Sequence, residues 1–280
     1  MGIHPTAVVA ATAVLADEVD IGPYCVVGGR VRLGARTRLH SHVAVQGDTT
    51  IGADCEIFPF AVLGETPQDK KIKGEAEGVL RIGDGNRIRE HVTIHGGTPF
   101  GNGTTRIGDH NLLLVGSHVG HDATIGNHCV LTNSAMVAGH ALIGDRAILG
   151  AMVGVHQFAR VGQLAMIGAG AMVSHDAPPF ALVQGDRARL VGVNVVGLAR
   201  NGYSAEQKAV IKRVYRLLFW RAGNLAQKVE QVRSSALGRE DVGRLVLDFV
   251  SSSHRGVCMP RAGRFLTSGD GKETVDATTG

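Results

Sequence analysis

Every sixth residue from Ile3 is aliphatic: Val9, Leu15, Ile21, Val27, Leu33, Leu39, Val45, Ile51, Ile57 and Leu63 follow without a miss. The step resumes at Ile82, Ile88 and Ile94, then runs from Ile107 through Leu113, Val119, Ile125, Leu131, Val137, Ile143, Leu149, Val155, Val161 and Ile167 to Val173. A repeat of this kind decides the fold before any local preference does, and this one is the hexapeptide repeat of a parallel β-helix. Each hexad supplies one short strand and one corner. The aliphatic side chain points into a narrow prism, and a glycine or small polar residue after it, as in Ile21-Gly22, Ile107-Gly108 and Ile143-Gly144, tolerates the tight backbone. Three hexads close one triangular coil, so residues eighteen apart stack on neighbouring coils, about 4.8 Å away.

Composition agrees with such a prism. Hydrophobic residues make up 44% of the chain but aromatic ones only 4%, so the core must be built from Val, Ile, Leu and Ala, with 39 glycines for the turns. The fold expected is mainly β.

The two interruptions nearly keep the phase, since Leu63 to Ile82 and Ile94 to Ile107 are each one residue over a multiple of six. Residues 64–81 (GETPQDKKIKGEAEGVLR) and 95–106 (HGGTPFGNGTTR) are therefore loops expelled from the prism, and long loops on a regular scaffold commonly carry function. The repeat ends at APPF, 177–180, which bounds a prism domain of residues 1–190. From Ser204 the pattern turns helical: Ser204 and Gln207 form a capping box, Val210, Ile211, Val214, Leu217 and Leu218 share one face, and Gly223 is a natural stop. A small α-helical domain over 191–260 and a disordered tail over 261–280 complete the expected organisation.

Cys25, Cys55, Cys129 and Cys258 are far apart and form no CxxC pair, which argues against a zinc knuckle and a disulfide scaffold. No basic segment followed by an apolar run opens the chain, and no stretch is apolar enough to span a bilayer. The expectation is a soluble cytoplasmic protein without a transmembrane segment. A net charge of +4 and a pI near 9.0 suit an acidic partner but are too weak, and too poor in clustered aromatics, for nucleic acid.

Spacing by eighteen converges on one edge of the prism. Gly139 falls over His121, His140 over Asp122, and His156 in the next column two coils on. A histidine near neutral pKa can take a proton from a hydroxyl while a carboxylate fixes its tautomer, and the bare backbone N–H of a glycine above it could hold an oxyanion. No serine or cysteine stacks there as a nucleophile, so direct acyl transfer by a general base is the simplest chemistry. Clustered histidines also serve zinc hydratases on similar prisms, but there two ligands stand four residues apart, whereas His118 and His121 are separated by only two. No metal and no cofactor are expected.

Six strings go beyond the repeat: QDKKIKGE (68–75), NRIREHVTIH (86–95), DHNLLLVGSHVGHDATIGN (109–127), AGHALIGD (138–145), GVHQF (154–158) and GVNVVGLARNGYS (192–204). Together they closely resemble the UDP-N-acetylglucosamine O-acyltransferases that begin lipid A synthesis, over nearly the whole chain up to SSSHRG at 251–256. The resemblance implies a left-handed prism, a homotrimer with active sites between subunits, and transfer of a 3-hydroxyacyl group from acyl carrier protein to the 3-hydroxyl of UDP-N-acetylglucosamine. It implies His121 as general base, Asp122 as its orienting partner and Gly139 as oxyanion donor. It also implies His118 and His140, with His156 nearby, at the sugar and diphosphate, Asp69 and Lys71 at the sugar, and Gln157, Asn194 and Arg200 toward the nucleotide.

Acyl length in the resembled family is set along a cleft between prisms around Gly168, Ala169 and Gly170, whose small side chains here leave room for a fairly long chain. The basic helical residues Lys208, Lys212, Arg213, Arg216 and Arg221 offer a dock for the acidic carrier protein. The chain departs from the family at Val196, where an acidic residue is common, at Asn201 in place of a second basic residue, and at Gly96 in place of an arginine. Some relatives accept a 3-amino sugar. A related N-acyltransferase of the same pathway usually carries an extra domain before its hexads, which here begin at Ile3.

Overall fold

The computed structural model describes residues 2–73, 78–260 and 266–267. Its strands are mostly two residues long and sit in three sheets of nine, eight and eleven strands among the described residues, parallel throughout the coils and forming the faces of a three-sided prism. The register is the one the hexads require. His118 pairs with Met136 and Val119 with Val137, eighteen residues on, and the neighbouring coils repeat the offset. Across the two loops the offset jumps, so that Leu63 pairs with Ile94 and Ile94 with Val119.

From Ile21 to Val173 every aliphatic residue of the series is buried, while Ile3, Val9 and Leu15 of the first coil are less covered. Removing such columns of branched side chains from water is the main stabilising term of the prism.

The glycines after the aliphatic residues do a different job from the one expected. Apart from Gly64, at φ 80, their φ angles are not positive. Instead, a Cβ on Gly22 would lie 2.7 Å from the carbonyl oxygen of His40, and one on Gly144 would lie 2.6 Å from the nitrogen of Gln163, so glycine is needed because the next coil passes so close. The left-handed conformation falls two residues later, on bulky side chains such as Tyr24, His42, Phe60, Asp122, His140 and Phe158.

The loops are shorter than the interruptions in sequence. Strands Val62–Glu65 and Val79–Ile82 leave 66–78 outside the prism, and Thr93–His95 and Thr104–Ile107 leave 96–103, because pairing continues past the hexad at the points where the chain leaves and re-enters the sheet. Within the first loop, 74–77 lie outside the described residues.

Strand Ala181–Gln184 turns back antiparallel into Arg189–Val193, which ends the prism. Among the described residues five helices follow: α1 (Val195–Arg200), α2 (Ala205–Phe219), α3 (Leu225–Arg233), α4 (Ala236–Arg239) and α5 (Asp241–Ser251). The capping box of Ser204 and Gln207 starts α2, which buries Ile211, Val214, Tyr215, Leu218 and Phe219 and stops at Trp220, short of Gly223. Of the tail, only Leu266–Thr267 is described, a short strand parallel to Arg189–Val193; the rest of 261–280 lies outside the described residues. All four cysteines are buried and unpaired, and no described helix is long and apolar enough to cross a membrane.

Candidate active site

His121 and Asp122 stand at the corner where the chain passes from the nine-stranded to the eight-stranded sheet, between strands His118–Val119 and Thr124–Ile125. Asp122 takes the left-handed corner conformation, with φ 60. That turn brings its carboxylate back to the preceding ring: Nδ1 of His121 lies 2.9 Å from Oδ2 of Asp122. One coil on, Gly139 packs flat against the same imidazole, and a Cβ there would lie 2.7 Å from both Cε1 and Nε2. The residue that the eighteen-step placed over His121 thus sits against it, and only glycine leaves the ring room.

Asp122 is fully buried, but its charge is well supplied with donors. Oδ2 accepts from the Thr98 hydroxyl at 2.6 Å, Oδ1 accepts from Gly103 N–H at 2.9 Å, and Thr98 N–H reaches both oxygens at 3.2 Å. Burial would raise its pKa, but the hydrogen bonds from Thr98 and His121 outweigh burial and hold it below the usual carboxylate range. An ionised carboxylate only accepts hydrogen bonds. Nδ1 of His121 must therefore carry a proton, which leaves the lone pair on Nε2, the nitrogen 3.8 Å from Oδ2 of Asp69.

His121, Gly139 and Asp69 border a cleft of ≈ 920 Å³ that also exposes Lys71, His118, His156 and Gln157. Asp69 and Lys71 arrive on the first loop, where the Asp69 carboxylate accepts the Lys71 backbone N–H at 2.9 Å and the Lys71 ammonium lies 5.5 Å from the centre of the Phe100 ring on the second loop. Burial, and after it the neighbouring His95, push His118 down to about 4, so it is neutral. The cleft continues along the outer surface of the nine-stranded sheet over Met136, Gly154 and Met172, ending at Asp186 and Arg187.

His140 lies over Asp122, where the eighteen-step puts it. It does not line the cleft; its Nε2 lies 3.9 Å from Oδ2 of Asp122, and its ring stacks on Phe158 and meets His121 edge-on. Its own left-handed corner, φ 61, directs the ring along the prism edge.

Asn194 is also elsewhere: it is 7% exposed and caps α1, with Oδ1 accepting from Gly197 N–H and Nδ2 donating to the Leu164 carbonyl. Arg200 lines a separate hollow of ≈ 350 Å³ with Arg146 and Asn201. Asn201, one of the departures, accepts from Arg146 and closes α1. Val196 is exposed, and Gly96 is buried with Gly78 beside it. Gly168, Ala169 and Gly170 form the next corner, between the eleven-stranded and nine-stranded sheets, at the other margin of the face that floors the cleft.

Two residues escaped the sequence reading. His95 lines the cleft with its Nδ1 buried and without a partner among the described residues, and it meets the His118 ring edge-on. Its signal was the phase shift, because the offset of twenty-five across the second loop puts it over Gly120. Thr98 had no such signal, since loop contacts have no period. His121, Asp122 and His140 also offer three ligand-type atoms within 4.8 Å of one another, although Oδ2 of Asp122 already accepts hydrogen bonds from Thr98 and His121.

Comparison with known proteins identifies the family. The family described as "Udp N-acetylglucosamine O-acyltransferase; Domain 2" matches residues 176–258. The acyl-(acyl-carrier-protein)-UDP-N-acetylglucosamine O-acyltransferase of Azorhizobium caulinodans is 51% identical over 93% of this chain and 96% of its own length. The one from Thermodesulfovibrio yellowstonii is 44% identical over 91% and 98%. Among solved structures, the UDP-N-acetylglucosamine acyltransferase of Francisella novicida superposes with a TM-score of 0.90 at 38% identity, covering 93% of this chain and 95% of that one. The Acinetobacter baumannii enzyme gives 0.88 at 41%, covering 91% and 99%. The prism is a left-handed parallel β-helix like theirs. With its hexads, its corner histidine and its C-terminal helices accounted for together, this chain is an acyltransferase that belongs to the acyl-(acyl-carrier-protein)-UDP-N-acetylglucosamine O-acyltransferase family.

Proposed function

We propose that the protein transfers a 3-hydroxyacyl group from acyl carrier protein to the 3-hydroxyl of UDP-N-acetylglucosamine, the first step of lipid A synthesis, with His121 as general base. The observation that carries this reading is the His121 imidazole held between the ionised Asp122 and the bare backbone of Gly139 at the wall of an open cleft. Nε2 takes the hydroxyl proton as the sugar oxygen attacks the thioester carbonyl. The Gly139 N–H holds the developing oxyanion, and collapse releases the phosphopantetheine thiolate, which recovers the proton from the imidazolium. General-base and oxyanion contributions are each worth about 100-fold or more. The acyl group arrives on the carrier protein, so the step needs no resident cofactor or metal.

Asp69, Lys71 and His118 bind the sugar, and His156 and Gln157 take the diphosphate and nucleotide side of the same cleft. Asn194 and Arg200 lie away from the cleft of one protomer, so any nucleotide contact from them comes across a subunit boundary. A homotrimer supplies one by burying the nine-stranded face, whose outward residues include Val26, Ala44, Val62, Met136 and Met172, whereas the outward residues of the eight-stranded face include Arg32, Arg81, Arg106 and Arg160. The acyl chain lies over Met136 and Met172 toward the Gly168–Gly170 corner, with room for a long one. Exposed Arg213, Arg216 and Arg221 receive the acidic carrier protein. The reading places the protein in the cytoplasm.

Incubation with UDP-N-acetylglucosamine, its 3-amino analogue and a ladder of hydroxyacyl carrier proteins, with products identified by mass, tests the assignment. Acylated UDP-N-acetylglucosamine with a long chain is expected. Product from the 3-amino sugar alone would move the reading to amide formation, and a preference for short chains would remove the account of the cleft.

A further inference from the structure

The loop over 96–103 is built around one carboxylate. Thr98 is fully buried; its hydroxyl donates to Oδ2 of Asp122 at 2.6 Å, and Oδ2 is also the oxygen that faces Nδ1 of His121. The other oxygen is held by Gly103 N–H at 2.9 Å, Asn102 donates to the Asp122 carbonyl at 3.3 Å, and Thr105 accepts the Asp122 backbone N–H at 2.8 Å. Gly101 lies so close to the carboxylate that a Cβ there would come within 2.4 Å of Oδ2. A carboxylate linked to the imidazole alone could rotate about its Cβ–Cγ bond and carry the ring with it. Here the donors on both oxygens leave one orientation.

We infer that Thr98 is a positioning residue of the reaction: its hydroxyl sets the angle of the Asp122 carboxylate, which in turn keeps the proton on Nδ1 of His121 and aims Nε2 into the cleft. The inference rests on His121 being the base, as proposed above. Charge-assisted hydrogen bonds of this length are strong and directional, and a misplaced catalytic group costs rate far more than binding. Thr98 touches no part of the cleft itself, so its loss should leave sugar binding alone.

Steady-state kinetics on Thr98→Val, Thr98→Ser, His121→Ala and the Thr98→Val/His121→Ala double variant test this. Thr98→Val should lower kcat about 10- to 100-fold with the KM for UDP-N-acetylglucosamine within about twofold. Thr98→Ser should recover most of the rate. In the double variant, loss of the hydroxyl should cost nothing beyond His121→Ala, because both act through one ring. Wild-type kcat in Thr98→Val beside an inactive His121→Ala would overturn the positioning role while leaving the base in place. An active His121→Ala would instead remove the base itself. Should Thr98→Val melt early, Thr98→Ala removes the same hydroxyl without adding a methyl group. Failure of both to fold would also overturn the inference, since a positioning hydroxyl is dispensable to the fold.

Discussion

Gly139 and His118 show how little of a site's chemistry lies in the identity of its base alone. A methyl group on Gly139 would lie 2.7 Å from two atoms of the His121 ring, so Gly139→Ala must turn the imidazole away from Asp122 or toward the cleft. Turnover should fall about 100-fold while the melting temperature changes little, as shown by kinetics beside a thermal scan; an undiminished rate would mean that the ring has space to spare. His118 carries a pH signature. Its pKa is pushed from 6.5 to about 4, chiefly by burial, so below pH 6.5 the unfolded chain gains a proton that the folded chain refuses. Stability held at neutral pH is therefore lost as pH falls from 6.5 toward 4, by up to a few kcal/mol. His118→Gln should flatten that loss in melting curves taken between about pH 7 and pH 4.5, and an unchanged slope would contradict it. At this scale the sequence disclosed contacts that repeat: subtracting eighteen found Gly139 against His121. It could not disclose Thr98 on Asp122, because a loop returns to the prism without a period. Nor could it show that the Asn194 side chain caps α1 and donates to the Leu164 carbonyl.

The element that makes the fold is the hexad, and it was readable because one side chain per strand points inward at a fixed interval. The glycine beside it was readable as a requirement but not as to cause: close passage of the next coil, not a positive φ, excludes a Cβ at Gly22 and Gly144. A second ladder runs along another edge, where Asp84, Asp109, Asn127 and Asp145 each accept a backbone N–H from the coil before and satisfy corner donors that the sheets leave over. Leu131 is fully buried in the inner column. Leu131→Ala should lower unfolding free energy by about 2–5 kcal/mol in a denaturant titration, because rigid neighbouring coils cannot collapse into the space. A loss well under that range would indicate a softer interior. Loop limits were less readable than the hexads, since backbone pairing extends beyond the last aliphatic residue in strands such as Val62–Glu65.

On the scale of the whole molecule, prism and helices are joined by a clamp that no repeat announces. Arg160 donates to buried Asp176 at 2.8 Å, to the Phe249 carbonyl at 2.9 Å and to Ser252 at 3.1 Å, and lies 4.3 Å from the centre of the Phe249 ring. The Tyr215 hydroxyl adds a bond to the Pro179 carbonyl. Arg160→Ala leaves the Asp176 charge buried and short of its partner, a loss approaching the roughly 3–5 kcal/mol of a broken buried pair. Hydrogen exchange should then quicken across α5 while the inner prism stays protected, whereas uniform acceleration would mean that the clamp supports the prism as well. The central claim, that winding the chain in threes of six brings a working base to Asp122 and Gly139, is tested most directly by turnover of His121→Ala with UDP-N-acetylglucosamine and hydroxyacyl carrier protein. The account predicts loss of most activity, about 100-fold or more, in a protein with wild-type size and melting temperature; a near-normal rate in that folded variant would contradict it.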